Sequence, residues 1–117
     1  MTVQSASGSW LSDDYHQIVW DPLANGDSGF PMDAGTGTLK SFQIEGTPGS
    51  GFAIVIEGSN DGVNYRTLND VNGAPMSYST VGFIADMAGA TRKVRPRVTA
   101  GDGTTTVVVT CCQHMSI

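Results

Sequence analysis

The side chains best suited to chemistry stand near the carboxyl end, where Cys111 and Cys112 are followed by His114; the other histidine is His16. A Cys112-x-His114 pair can offer a thiolate and an imidazole to a metal ion, with Cys111 or His16 added from afar. Zinc sites are normally built from two short-spaced ligand pairs, and this chain has no second pair. A cysteine–histidine nucleophilic dyad needs an exposed, electropositive setting, which this spacing does not establish. The segment reads as the tail of a strand, with no metal and no cofactor expected.

The carboxylates read similarly. Asp13, Asp14, Asp21, Asp27 and Asp33 fall in a loop-rich first third, and Asp61, Asp70 and Asp102 fall in turns. Calcium favours such oxygen-rich loops, yet no D-x-D-x-D-G spacing occurs. Glycoside hydrolysis needs two carboxylates opposed across a groove, and only Glu45 and Glu57 lie on predicted strands. No nucleophile–base pair or catalytic constellation emerges, so an enzyme is not expected.

What remains is recognition. The one basic run, from Arg92 to Arg97, alternates so that Lys93, Arg95 and Arg97 share one side of a strand. It reads as a solvated or salt-bridging sheet face, with phosphate binding the lesser alternative. Against it stand a net charge of −5 and only 6 lysines and arginines, which argue against a nucleic-acid-binding module. Trp10, Tyr15, Trp20, Tyr65 and Tyr78 are candidate docking or sugar-stacking aromatics. Tyr65 and Tyr78 fit strand alternation and read as core, whereas Trp10 and Trp20 lie in polar surroundings.

The elements that must position these groups are strands. Phe52, Ile54 and Ile56 alternate with Ala53, Val55 and Glu57, the period of a half-buried strand. Ser59-Asn60-Asp61-Gly62 supplies hairpin turn chemistry, and Val63 to Leu68 reads as the return strand. Further strands are predicted over Gln17–Trp20 (ended by Asp21-Pro22), Leu39–Glu45 and Met76–Asp86. A closing hairpin is predicted from Thr91–Thr99 and Thr104–Cys112. The β-branched run Thr104 to Thr110 predicts a central or covered strand, and Pro96 predicts an edge or bulge. The fold class is all-β, an antiparallel β-sandwich or jelly roll of about seven or eight strands at regular spacing. Residues 1–36 are expected to form an irregular N-terminal arm, and residues 37–117 the sandwich.

At 117 residues one domain buries its own core. No window approaches the ~20 apolar residues that cross a bilayer, and Met1 to Trp10 lacks the features of a secretory signal. Cys111 and Cys112, adjacent on a strand, point to opposite faces and are expected as reduced thiols made in a cytoplasm.

The hairpin Glu57-Gly58-Ser59-Asn60-Asp61-Gly62-Val63-Asn64-Tyr65, with Lys93 to Val98 and Gly101 to Val109, resembles small β-sandwich structural proteins of tailed bacteriophages. The resemblance spans roughly residues 38 to 112 and leaves the first 36 unmatched. It implies a capsid decoration, or cement, protein: a virion component on the capsid surface, made in the bacterial host cytoplasm. Its partner would be the major capsid protein, and the chain would form a homo-oligomer, a trimer or dimer. On that reading Trp10, Tyr15 and Trp20 are the expected capsid-facing or subunit-swapped residues, and Lys93, Arg95 and Arg97 the second contact. The alternative is a carbohydrate-binding or tail-associated β-sandwich module, favoured if Tyr65 stands exposed beside Asn60 and Asn64.

Overall fold

The alternating apolar positions close into two packed sheets. In a computed structural model of the chain, the described residues are 3–10, 15–33, 39–89 and 91–114. They form twelve strands: β1 (Val3–Gln4), β2 (Ala6–Trp10), β3 (Tyr15–Ala24), β4 (Ser28–Gly29), β5 (Met32–Asp33), β6 (Leu39–Thr47), β7 (Ala53–Ser59), β8 (Arg66–Thr67), β9 (Ser77–Tyr78), β10 (Phe83–Met87), β11 (Lys93–Ala100) and β12 (Thr106–His114). The first sheet has seven strands, with path β1-β4-β11-β7-β8 and with β5 on β11 and β9 on β7. The second has five, in the order β10-β6-β12-β3-β2. The count exceeds the expected seven or eight because five of the twelve are two-residue strands. All pairings are antiparallel except β1 with β4.

The core lies where the inward sets meet. Phe42, Ile44, Val107, Val109 and Cys111 face inward from one sheet, and Ile54, Ile56, Val94 and Val98 from the other, all 0–1% exposed. β12 is central, in register with β3 on one side and β6 on the other. Its outward residues Val108, Thr110 and Cys112 are half-buried rather than covered.

Residues 15–33 are not an irregular arm. β3 runs ten residues and pairs with β12 almost throughout. Asp21-Pro22 does not end it: these two residues, joined by a cis peptide, oppose Val108 alone in a bulge. The extra residue returns Leu23 to the inward face beside Trp20, and that shift conceals the alternation in the sequence. Trp20 is fully buried and donates its indole Nε1–H to the Phe30 carbonyl at 2.9 Å. Gly29 has no side chain because a Cβ there would stand 2.6 Å from the Trp20 ring and 2.7 Å from Pro96. The expected boundary between residues 36 and 37 lies outside the described residues.

Four other expectations change. The closing hairpin is an arch: β11 and β12 lie in different sheets. Each strand turns an apolar face to the shared core, Val94 and Val98 from β11 and Val107, Val109 and Cys111 from β12. Met76–Asp86 divides into β9 and β10, again one per sheet, turning at Gly82 with φ +82°. The return strand from Val63 shrinks to Arg66–Thr67, because the Asp61 carboxylate claims the Val63 and Asn64 amides at 2.8 Å each. Pro96 lies inside the sheet. The Val98 amide two residues on donates outward to Asp27, so Pro96 turns its missing donor the same way. There the neighbouring strand is interrupted between β4 and β5.

Candidate functional site: a basic stripe on the seven-stranded sheet

β11 buries Val94, Pro96 and Val98, so strand alternation puts Lys93, Arg95 and Arg97 on the outer face. Opposite Arg95 in register is Glu57 of β7. Its carboxylate accepts from Arg95 Nε through Oε1 and from Arg97 Nη2 through Oε2, each at 3.1 Å. The Glu57 side chain is only 7% exposed, against 22% for Arg95 and 37% for Arg97. One carboxylate thus serves two guanidiniums, leaving the stripe an unneutralised positive charge, with its arginines already oriented. Lys93 pairs with Asp33 of β5 at 3.0 Å, and the Arg95 guanidinium lies 3.9 Å above the centre of the Tyr65 ring. This stacking is a cation–π contact that holds both groups.

The charge is unevenly distributed over the molecule. Five of the six lysines and arginines (Arg66, Arg92, Lys93, Arg95 and Arg97) lie on β8, on β11 or on the residue before it. The sixth, Lys40, is 4% exposed in β6, and burial lowers its ammonium pKa. The outer face of the five-stranded sheet instead carries exposed Asp21, Glu45 and Asp86, together with Ile84 at 63% exposure.

The turn below the stripe is self-contained. Asp61 accepts hydrogen bonds from Ser59, Val63 and Asn64. These donors stabilise its ionised form and hold its carboxyl far below the usual carboxylate range. Asn60 Oδ1 accepts from the Arg92 amide, tying the turn to the start of β11.

Of the residues singled out from sequence, the structure brings Lys93, Arg95 and Arg97 together and separates them from the rest. Trp20 is a core residue, not a surface contact: a fully buried ring touches no partner of the folded chain. Tyr15, 45% exposed, lies in the other sheet. There it lines a groove of about 210 Å³ with Lys40, Ser41, Val71, Asp86, Met87 and Cys112. Trp10 ends β2, and its side chain lies outside what the structure describes. Tyr65 is neither core nor a free platform, since one ring face is occupied by Arg95. Sequence reasoning missed Glu57 and Asp33 as partners of the stripe. The alternation placing Glu57 outward was readable, but its register with Arg95 was not. Among the described residues, no three histidine, cysteine, aspartate or glutamate side chains converge to hold a metal.

No protein-family model matches the chain, and no curated protein matches it. Solved structures do. The crystal structure of the SPBc2 prophage-derived protein YomS aligns with TM-score 0.68 and 12% identity over 90% of this chain and 98% of that one. The cupin domain of Schizosaccharomyces pombe Cnp3 gives 0.49 and 7%, over 95% and 64% of the two chains. Aeromonas hydrophila PliG, a periplasmic inhibitor of g-type lysozyme, gives 0.45 and 12%, over 98% of each. The chain is similar in fold to YomS along nearly the whole length of both proteins.

Proposed function

We propose that this protein is a structural component of a bacteriophage particle that docks on the assembled capsid and stabilises it. The observation that carries the reading is the stripe of Lys93, Arg95 and Arg97, ordered by Glu57, Asp33 and Tyr65 on an otherwise acidic molecule. A row of two guanidiniums and an ammonium, held in place and with spare N–H donors, suits an acidic protein surface, because little side-chain entropy is lost when they engage carboxylates. The likeness of fold to a prophage-derived protein supports the same source. Docking onto a repeating shell multiplies a modest single contact, since many copies bind one lattice and bridge its subunits. The free thiols of Cys111 and Cys112 suit synthesis in the reducing host cytoplasm.

The test is co-sedimentation of the purified chain with expanded capsids of its phage, beside a Lys93→Gln/Arg97→Gln variant. Saturable binding at a fixed ratio to capsid subunits is expected, weakened about tenfold or more in the variant, by analogy with charged interface contacts. Absence of binding by the intact, folded chain sinks the reading. Binding to purified tails in place of heads would transfer the stripe to a tail partner.

A further inference from the structure

Most sheet edges of this protein are blunted. β10, the outermost strand beyond β6, is crossed by the 69–75 loop: the Val71 amide donates to the Asp86 carbonyl and the Ala88 amide to the Asn69 carbonyl, each at 3.0 Å. At the edges of the seven-stranded sheet β1, β8 and β9 are two residues each, too short to template a partner. β2 differs. It is five residues long and pairs only with β3. Among the described residues, no backbone hydrogen bond reaches its other edge. From Val3 to Trp10 there is neither charge nor proline, and those are the usual devices that keep an edge strand from pairing with another chain. An uncharged edge on a chain of net charge −5 is also where two copies approach with least repulsion.

From these observations we propose that β2 is a self-association strand, pairing antiparallel with β2 of a second copy across a two-fold axis at Gly8. The occupant is identified by the symmetry of the strand, Ala6-Ser7-Gly8-Ser9-Trp10. Antiparallel pairing about Gly8 sets glycine against glycine and each Ser7 against Ser9 of the other copy. Small residues permit close backbone approach between the two strands. A two-fold axis makes the contact isologous, so assembly stops at the dimer. Ser7 is exposed, and Ala6, on the opposite face of the strand, packs on the core. The joined edges therefore continue one five-stranded sheet into the next while leaving the basic stripe of each copy free. The inference is independent of capsid docking, which uses the other sheet.

The test is analytical ultracentrifugation of the full chain over a range of concentrations, beside two double variants whose folding is verified by circular dichroism. Wild type is expected to show a concentration-dependent dimer. Ser7→Lys/Ser9→Lys opposes lysine to lysine twice per dimer and is expected to weaken association about tenfold or more. Ser7→Lys/Ser9→Glu opposes lysine to glutamate and is expected to remain dimeric. A wild type monomeric at every concentration overturns the proposal, as does a dimer indifferent to the double-lysine change. A folded Ser7→Lys/Ser9→Glu chain that stays monomeric overturns it too. Capsid binding by a monomeric chain would leave the docking reading intact.

Discussion

The aspartates of the turns act through hydrogen bonds to their ionised form, and this gives stability a direction with pH. Asp102 accepts from the Ser50 amide at 2.7 Å and from the Thr104 amide and hydroxyl at 2.8 and 2.6 Å. These donors lower its pKa from 3.8 to about 2. The unfolded chain therefore binds the proton first, and the contribution of Asp102 is complete above the unfolded value. It is lost as pH falls through the folded one. Melting temperature is expected to decline as pH falls from about 4 to about 2, the window between those two values. Asp102→Asn should melt lower than wild type at neutral pH, with the gap closing across that acid window. A gap that stays constant with pH would remove Asp102 from the account. Asp61, shifted further in the same direction, continues the decline below that window.

The cysteines differ in the same local way. Cys111 is fully buried, and burial raises its thiol pKa to about 12, whereas Cys112 on the outer face is half-buried. The thiolate is the reactive form, so a thiol reagent at mildly alkaline pH is expected to label one cysteine in the native protein and two after denaturation. Mass mapping should place the native label on Cys112.

Among the elements, β3 holds the core residue Trp20 and β11 holds the basic stripe. β3 anchors the amino-terminal third to the centre of the five-stranded sheet, and its largest buried side chain is Trp20. Trp20→Ala is expected to cost about 3–5 kcal/mol, the range for deleting a large aromatic from a packed interior, read from the midpoint of urea unfolding. A variant within a few tenths of wild type would mean that residues 15–24 are not part of the cooperative core. β11 depends on Glu57, which orders two arginines from the neighbouring strand. Glu57→Ala leaves both guanidiniums without their acceptor, and partial exposure of Arg97 moderates the loss through solvent screening. About 1–2 kcal/mol of destabilisation is expected in the same measurement, with a disproportionate loss of capsid binding because the stripe is no longer held in shape.

At the scale of the whole molecule, the decisive property is the uneven placement of charge. The cations gather on and beside β8 and β11, while the outer face of the five-stranded sheet presents Asp21, Glu45 and Asp86. A protein so divided meets an acidic surface in one orientation. Capsid binding should weaken as salt is raised, because exposed charge pairs are screened over about 8–10 Å at ordinary ionic strength. Salt-independent binding would assign docking to apolar surface such as Ile84 and Tyr15. A dimer joined through β2 would present two stripes at once, raising avidity on a lattice whose spacing matches.

The period-two alternation from Phe52 to Glu57, the turn residues Ser59 to Gly62 and the β-branched run of β12 were enough to fix an all-β sandwich. They also placed Lys93, Arg95 and Arg97 on one face and Cys111 and Cys112 on opposite faces. These properties follow from backbone pleat and turn stereochemistry, which are local. Which strands lie side by side was decided only by tertiary structure. β11 and β12, one short turn apart, went to different sheets, each turning an apolar face to the shared core. Trp20 entered the core because a bulge at Asp21-Pro22 restored a face that sequence spacing had hidden. Glu57 met Arg95 through strand register, across 38 residues of chain. Pairing of that kind is set by how the two sheets exclude water together, and no stretch of sequence carries it alone.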